Sequence, residues 1–523
     1  MSPASTADAE RSPVVTGNPG AEPALSRALL GKRAALWLAL AVLAIRLPGF
    51  HSAILNIDEC DHVVIARMMR AGALPYVGVV ETKPPLTYLV FWAASFIGHS
   101  VLPARIVAAA FLLGTALLVR AAVRRWTGDG RAASAAGFCA LLASLCDPPW
   151  AATEILMNLP AAAALYCLVR AEREDARRFD LAAGLAIGFA TLFKHQAGIL
   201  LPGFAIALFV NAIAARGGLG QAVLRTSLLG AGVALPWGAT FGTYAYLGHA
   251  RELVEWVVSR NFGYVATTHS GFWSHAGAFV FCVGTCALLW TLAISEALRR
   301  RRDPLGVAFA ISLALTWVAV SMGGRFYQHY FLQFAPVLAV LAGPALARVA
   351  EGWGTLSRAR RSAAAAFLVI PLLAYAVYGL ARVAVGDYPA QDERANALSS
   401  WLREHTAPDD RVFVWGHFTP IYYSSDRLPG TRYIMTSVHM GNFDPGELPD
   451  GFDPALHASA PDVRATLDDL EENRPAFVVD TAPADIHHWS RIPLNAFPAL
   501  RDHVARHYAP AGESGGARIY RRR

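Results

Sequence analysis

The stretch "ETKPPLTYLVFW", residues 81–92, decides how the chain is laid out. An acid, a threonine and a lysine stand against a double proline, and an apolar, aromatic-rich run follows. If that run crosses a membrane, every later loop changes sides. It extends over 84–98, about 15 residues, short of the ~20 a straight span needs, and it opens with two prolines. The reading is that it lies in the interface or dips in and returns.

Composition supports a membrane setting. Of 523 residues, 54% are hydrophobic and 16% charged, a balance that in so long a chain indicates repeated spans rather than a soluble domain. Apolar runs able to cross cover 35–50, 103–123, 132–148, 155–170, 180–193, 197–215, 222–247, 276–297, 304–322, 329–348 and 362–384. They make eleven crossings, in an expected range of about 11 to 13 transmembrane helices. With the N-terminus cytoplasmic and 84–98 not crossing, Arg120, Arg124, Arg125, "RAEREDARR" (170–178), Arg216, "RRRRD" (299–303) and "RARR" (358–361) all fall inside, as the positive-inside rule requires. A crossing at 84–98 would turn all of them outward. The opposite face then gathers Asp58, Glu59, Glu81, Lys83, Asp147, Glu154, Lys194, His195, the loop 249–275, Arg325 and His329.

Three segments follow. Residues 1–30 are rich in Pro, Ser, Ala and Gly, lack the apolar core of a signal peptide, and read as a disordered cytoplasmic tail. Residues 31–386 are expected to form the transmembrane domain, with outer loops 51–100 and 249–275. From 387 to 523 the pattern changes: "DRVFVWG", "TRYIM", "AFVVD" and "ARIYRR" read as strands, and "DERANALSSWLREH", "DVRATLDDLEEN" and "FPALRDHVARHY" as helices. This is a small, soluble, extracytoplasmic α/β domain. The net charge of +7 is spread in short clusters between apolar runs, which excludes nucleic acid as a partner. The six cysteines lie mostly in apolar segments, with Cys282 and Cys286 on one helix face, and form no disulfide framework or metal knuckle.

The outward polar residues suggest chemistry on a phosphate. Asp58 and Glu59 open an amphipathic helix, "DHVVIARMMRAG", expected to lie on the surface; an acidic pair there also favours the helix dipole, an alternative reading for Glu59. Lys83 is fixed by Pro84 and Pro85 at the level of lipid headgroups, where a snorkelling lysine is the alternative to a phosphate ligand. "TLFKHQAG" places Lys194 and His195 in a turn between two spans, and a cation so placed needs a partner. "SMGGRFYQHYFLQFAP" clusters Arg325, Tyr327, His329 and Tyr330 where a span begins, and the guanidinium fork suits a phosphate. Glu154 can bond sugar hydroxyls or cap its helix. His269 and His275 with Glu81 are a conceivable divalent-metal set, but their spacing matches no ligand signature. A carboxylate with several cations suits transfer of a group from a lipid phosphate: the carboxylate deprotonates an acceptor hydroxyl, and the cations stabilise the departing phosphate.

With those landmarks in hand, the chain resembles the GT-C glycosyltransferases that use polyprenyl-phosphate sugars, in the branch of the lipid A aminoarabinose transferases and, more distantly, the protein O-mannosyltransferases. The resemblance runs over about 30–350, through "DECDHVVIARMMRAGALPYVGVVETKPPLTYLVFW", "TEILMNLPAAAALYCLVRA", "AGLAIGFATLFKHQAGILLP" and "GRFYQHYFLQFAP". It implies Asp58 as base or acceptor-orienting carboxylate, Lys83 and Arg325 as donor phosphate ligands, Glu81 as a metal or sugar contact, and an inverting displacement. The chain departs from the family where Cys60, Asp61 and His62 follow the acidic pair and where His195 follows Lys194. The predicted site therefore comprises Asp58 and Glu59 as catalytic residues and Lys83, Arg325 and Lys194 on the donor phosphate. Glu81, Glu154, His195, Tyr327, His329 and Tyr330 are expected on the substrates. The partners are a polyprenyl-phosphate sugar, membrane lipids, and a glycolipid, polysaccharide or protein acceptor. A transporter of a lipid-linked or anionic substrate is the competing reading; its charges should spread through the membrane depth rather than collect on one side.

Overall fold

The computed structural model describes residues 33–523 except 148, 175–176, 215–217, 263–272, 274–275, 386–391, 442–447 and 449–450. The expected tail 1–30, His269, His275 and the domain boundary at 386/387 lie outside the described residues. The described residues of each of the eleven apolar runs are mostly helical. Seven helices are long and apolar enough to cross a membrane, and an eighth span is made if Ala276–Thr285 and Ala287–Arg299, bent by 67°, count together. Ala34–Gly49 and Gly130–Cys146 are shorter, and Arg178–Thr191 has 14 residues. The protein is thus a multi-pass helical membrane protein in which some helices are shorter than a full span. The 67° break falls between Cys282 and Cys286, so these two do not share one continuous helix face; all six cysteines are free thiols.

Small residues let the helices approach. Arg178–Thr191 and Gly218–Tyr246 cross at Gly184 and Gly232, where a Cβ on either would overlap the other's backbone at Leu229 and Leu181. The helix Leu102–Thr127 orients the bundle. Near its start Arg105 meets Glu59; near its end Arg125 pairs with Glu174 at 2.7 Å. The two arginines are about 30 Å apart along the axis. Around Arg125 the other basic turns assemble: Arg300 lies over the Trp126 ring at 4.4 Å and pairs with Asp303, while Arg348 pairs with Glu296. The basic turns at Arg125, Arg300 and Arg348 therefore share one end of the bundle, and the loops around residues 50–100 occupy the other.

The run after Lys83 forms the helix Pro85–Ser95, about 16 Å long, roughly half the hydrocarbon thickness. It packs against Ile57–Arg70. The latter differs from the surface amphipathic helix expected, because Glu59 to Ala66 and Met68 are all buried. Val63 and Ala66 join the core of the bundle, whereas Val64, Ile65 and Met68 join a second core built with the C-terminal domain. A helix covered on two sides needs apolar residues on both, which its alternating pattern supplies.

That domain is a five-stranded sheet, β1 (Arg411–Trp415), β2 (Leu428–Pro429), β3 (Phe477–Asp480), β4 (Tyr508–Ser514) and β5 (Ala517–Arg522), ordered β2-β1-β3-β5-β4. β1 pairs in parallel with β2 and β3, and β5 is antiparallel to β3 and β4. The helices Glu393–His405, Ala460–Asn473 and Pro498–His507 cover it. "TRYIM" is not a strand of this sheet. Its Tyr433 makes an isolated bridge to Val80 in the outer loop, and Val80 N–H donates to Arg432 C=O at 3.0 Å. The Arg432 carbonyl thus bonds the transmembrane half, while the Arg432 N–H donates to Asp469 within the domain at 2.8 Å, an outcome local propensity cannot foresee. Further ties are Arg260 to Asp462 at 2.9 and 3.0 Å, Arg67 to Asp426 at 3.1 Å, and the Thr419 hydroxyl to Asp61.

Candidate active site

The site is built where the Ile57–Arg70 helix begins. Asn56, in extended conformation, caps it by accepting the Asp58 N–H at 2.9 Å, which directs Asp58 into the first turn. The Asp58 carboxylate meets Lys83 Nζ at 3.6 Å, and Glu81 Oε1 lies 3.8 Å from the same ammonium. Asp58 and Lys83 keep 32% and 25% of their side-chain surface exposed, enough for a substrate to reach them.

"ETKPP" folds into a locked turn. Glu81 accepts the Lys83 N–H at 2.9 Å, the Thr82 hydroxyl at 3.1 Å and the Tyr88 hydroxyl. The Tyr76 hydroxyl donates to Lys83 C=O at 2.8 Å, and Asn261 donates to Thr82 C=O at 2.9 Å. Pro84 and Pro85, lacking N–H groups, start the next helix without an unsatisfied donor there. Leu86 N–H and the Thr87 hydroxyl then bond the carbonyls of Leu192 and Phe193 at 3.0 and 3.2 Å. This docking carries the Lys194 turn to the same place. Lys194 pairs with the buried Glu154 and lies 4.0 Å above the Tyr330 ring. His329 packs edge-on to Trp150 at 5.5 Å and stacks with Tyr327 at 5.7 Å, within electrostatic reach of Glu154, Lys194, Asp58 and Lys83.

The structure thus brings together Asp58, Glu81, Lys83, Glu154, Lys194, His329, Tyr330 and Tyr327. Arg325 is buried in the turn before His329, beside Gly324 and Phe326, which both have positive φ. His195 stacks on Trp237 at 5.9 Å instead of joining Lys194. Among the described residues no three His, Cys, Asp or Glu side chains form a metal-binding group.

Glu59, expected beside Asp58 in the site, is held in the bundle. Its fully buried carboxylate takes Arg105 at 2.8 and 2.5 Å and the Ala151 N–H at 2.7 Å. Arg105 in turn donates to the carbonyls of Gly49, His51 and Ala53. The pair clamps the Asp58 helix to the bundle. Arg105→Met should leave a buried charge unpaired and cost about 3–5 kcal/mol, read as a lower thermal midpoint in detergent. The double variant with Glu59→Gln should lose less than the sum of the single changes.

Charges around the site are sorted by environment. Burial opposes ionisation of Asp58, but Lys83, then His329, His62 and Lys194, outweigh it and hold the carboxyl well below the usual range. Glu81 is likewise lowered: burial works against its charge, while Lys83, the Tyr88 hydroxyl and the Lys83 and Thr82 backbone favour it. One helical turn on, burial and the charge of Asp58 push Asp61 up to about 8. Burial, helped by Lys83, takes His62 down to about 3. At neutral pH the cleft therefore holds two carboxylates on Lys83, a largely protonated Asp61 and a neutral His62. Sequence reasoning missed Arg105, Tyr76, Tyr88, Asp61 and Thr419. Arg105 carried a readable signal, since a lone arginine near the start of an apolar run requires a carboxylate.

The architecture is that of the GT-C fold. The family model described as dolichyl-phosphate-mannose-protein mannosyltransferase matches residues 82–237. ArnT from Cupriavidus metallidurans bound to undecaprenyl phosphate superposes with a TM-score of 0.61 at 16% identity, over 93% of this chain and 97% of that one. Its apo state matches with the same TM-score and coverage at 18% identity. The Archaeoglobus fulgidus oligosaccharyltransferase, in complex with Zn and sulfate, matches with a TM-score of 0.53 at 15% identity, over 93% and 73% of the two chains. No curated protein matches the sequence.

Proposed function

We propose that the protein transfers a sugar from a polyprenyl-phosphate donor to an acceptor hydroxyl at the outer face of the cytoplasmic membrane. The observation that carries this reading is the contact of Asp58 with Lys83 at 3.6 Å in a cleft that also holds Lys194 and His329. The fold and the undecaprenyl phosphate bound to the structurally similar ArnT support a lipid-linked donor. The collection of basic turns at the opposite end of the bundle supports the outward-facing site.

Lys83 takes the donor phosphate, with Arg325 and Lys194 supplying further positive charge, and the polyprenyl chain lies among the helices. The acceptor hydroxyl approaches the anomeric carbon from the face opposite the phosphate. Asp58 removes its proton as the new C–O bond forms, and the glycosyl–phosphate bond breaks with its electron pair leaving on the lipid phosphate. The anomeric centre inverts. Before the donor binds, Lys83 holds Asp58 ionised but weakly basic; a phosphate that draws Lys83 away raises the basicity of Asp58 when a base is needed.

Proteoliposomes carrying donor doubly labelled in sugar and lipid distinguish transfer from transport. Transfer separates the two labels and yields free polyprenyl phosphate. Movement of both labels together across the bilayer, with the bond intact, would contradict the proposal.

A further inference from the structure

Behind the pair of Asp58 and Lys83 stands a buried histidine. His62 lies one helical turn after Asp58 in the Ile57–Arg70 helix and is fully enclosed. Its ring packs on Phe91, with centroids 4.8 Å apart, and on Tyr88 at 5.9 Å. The Tyr88 hydroxyl donates to Glu81, which with Asp58 flanks the Lys83 ammonium. The imidazole is therefore fixed behind the row formed by the two acids and the lysine.

Among the described residues neither ring nitrogen of His62 has a hydrogen-bond partner. A buried imidazole left so gives up the bonds it had with water and lowers stability, whereas a phenyl ring would fill the same apolar contacts without that loss. Packing alone does not account for a histidine here. Burial, helped by Lys83, holds the ring neutral, so one nitrogen carries an N–H and the other a lone pair.

Helix geometry decides where that N–H can reach. Side chains at i and i+4 share a face, and the Cα–Cβ bonds tilt toward the N-terminus, so His62 leans over the turn that carries Asp58. In the structure the carboxylate faces Lys83 at 3.6 Å instead. The titratable groups around Asp58 are Lys83, His329, His62 and Lys194, with Asp61 on its own helix and Glu81 on the adjoining loop. When a donor phosphate draws Lys83, Asp58 loses its nearest counter-charge, and a partly buried carboxylate without one gains basicity and tends to protonate. A bond from a neutral N–H holds such a carboxylate ionised and aimed while leaving it more basic than an ammonium would.

Resting on the glycosyltransferase reading above, we infer that His62 is a positioning residue for Asp58: once the donor phosphate engages Lys83, the imidazole N–H bonds the Asp58 carboxylate and keeps it directed at the acceptor hydroxyl. His62 itself takes no proton; the acceptor's proton goes to Asp58.

The test is steady-state transfer by the full-length protein in nanodiscs, with radiolabelled polyprenyl-phosphate sugars and cell-envelope lipids. Wild type is compared with His62→Phe, His62→Asn and His62→Gln, the two amides setting an N–H near the place of Nδ1 or Nε2. His62→Phe should match or exceed the wild-type thermal midpoint yet lose about tenfold or more in kcat, the scale of one hydrogen bond to a charged group, with the donor KM within about twofold. The acid limb of kcat, which reports the enzyme–substrate complex, should rise by about one pH unit. That of kcat/KM, set in the free enzyme chiefly by Lys83, should move less, and one of the amide variants should recover part of kcat. A wild-type kcat with an unmoved limb in His62→Phe, equal shifts of both limbs, a lowered thermal midpoint with both limbs unmoved, or amide variants no better than His62→Phe would each overturn the inference while leaving the transferase reading intact. Wild-type protein that turns over no donor would overturn both.

Discussion

Asp58→Asn should lower kcat by about 10²–10⁴-fold, the range for loss of a general base, with the donor KM little changed. Asparagine keeps the shape and the first-turn position that Asn56 fixes, but it cannot accept the acceptor's proton. The variant should fold normally, because the helix is anchored by Glu59 and Arg105 rather than by Asp58. The pH profile provides a further check. Since Lys83, His329, His62 and Lys194 together lower the Asp58 pKa in spite of burial, with Glu81 and Asp61 as the neighbouring acids, wild-type kcat/KM, which reports the free enzyme, should fall only as pH drops below the ordinary carboxylate range near 4. A profile whose acid limb lies near neutrality would remove Asp58 as the base.

Lys83→Met is the second large effect. Loss of the ammonium removes charge stabilisation from the departing phosphate, for which about 10²–10³-fold in kcat is the usual scale of one preorganised donor. It should also weaken donor binding, so KM rises as kcat falls, a combination Asp58→Asn does not produce. Without Lys83, burial is opposed only by the more distant cations, and the pKa of Asp58 moves up. The acid limb of the residual activity should shift upward accordingly, and steady-state rates between pH 4 and 8 would show it. Lys83→Arg keeps the charge but not the compact geometry and should fall between wild type and Lys83→Met. Equal pH profiles in wild type and Lys83→Met would show that the 3.6 Å contact does not govern the carboxylate.

Much of this was legible in the chain. Hydrophobic run length and the arrangement of arginines located the helices and gathered Asp58, Glu81, Lys83, Glu154, Lys194 and His329 on one side, because sidedness depends on composition and order alone. What stayed hidden depended on packing. Glu59 and Asp58 are adjacent and chemically alike, yet a 100° step around the helix turns one into the bundle and the other toward Lys83. The Ile57–Arg70 helix has an amphipathic pattern, but its second face meets a domain some 350 residues later in the chain, a long-range contact that no local signal encodes. "TRYIM" has strand propensity, yet it joins no strand of the sheet and bridges instead to Val80 of the outer loop.

The central claim, lipid-linked glycosyl transfer at the Asp58–Lys83 pair, is tested most directly by sugar release from radiolabelled polyprenyl-phosphate sugars. Purified wild type, Asp58→Asn and Lys83→Ala should be compared with cell-envelope lipids present and thermal midpoints matched. The account predicts turnover of at least one donor by wild type and loss of at least 99% of that rate in both variants. Undiminished release by either folded variant, or no turnover of any donor by wild type, would contradict it.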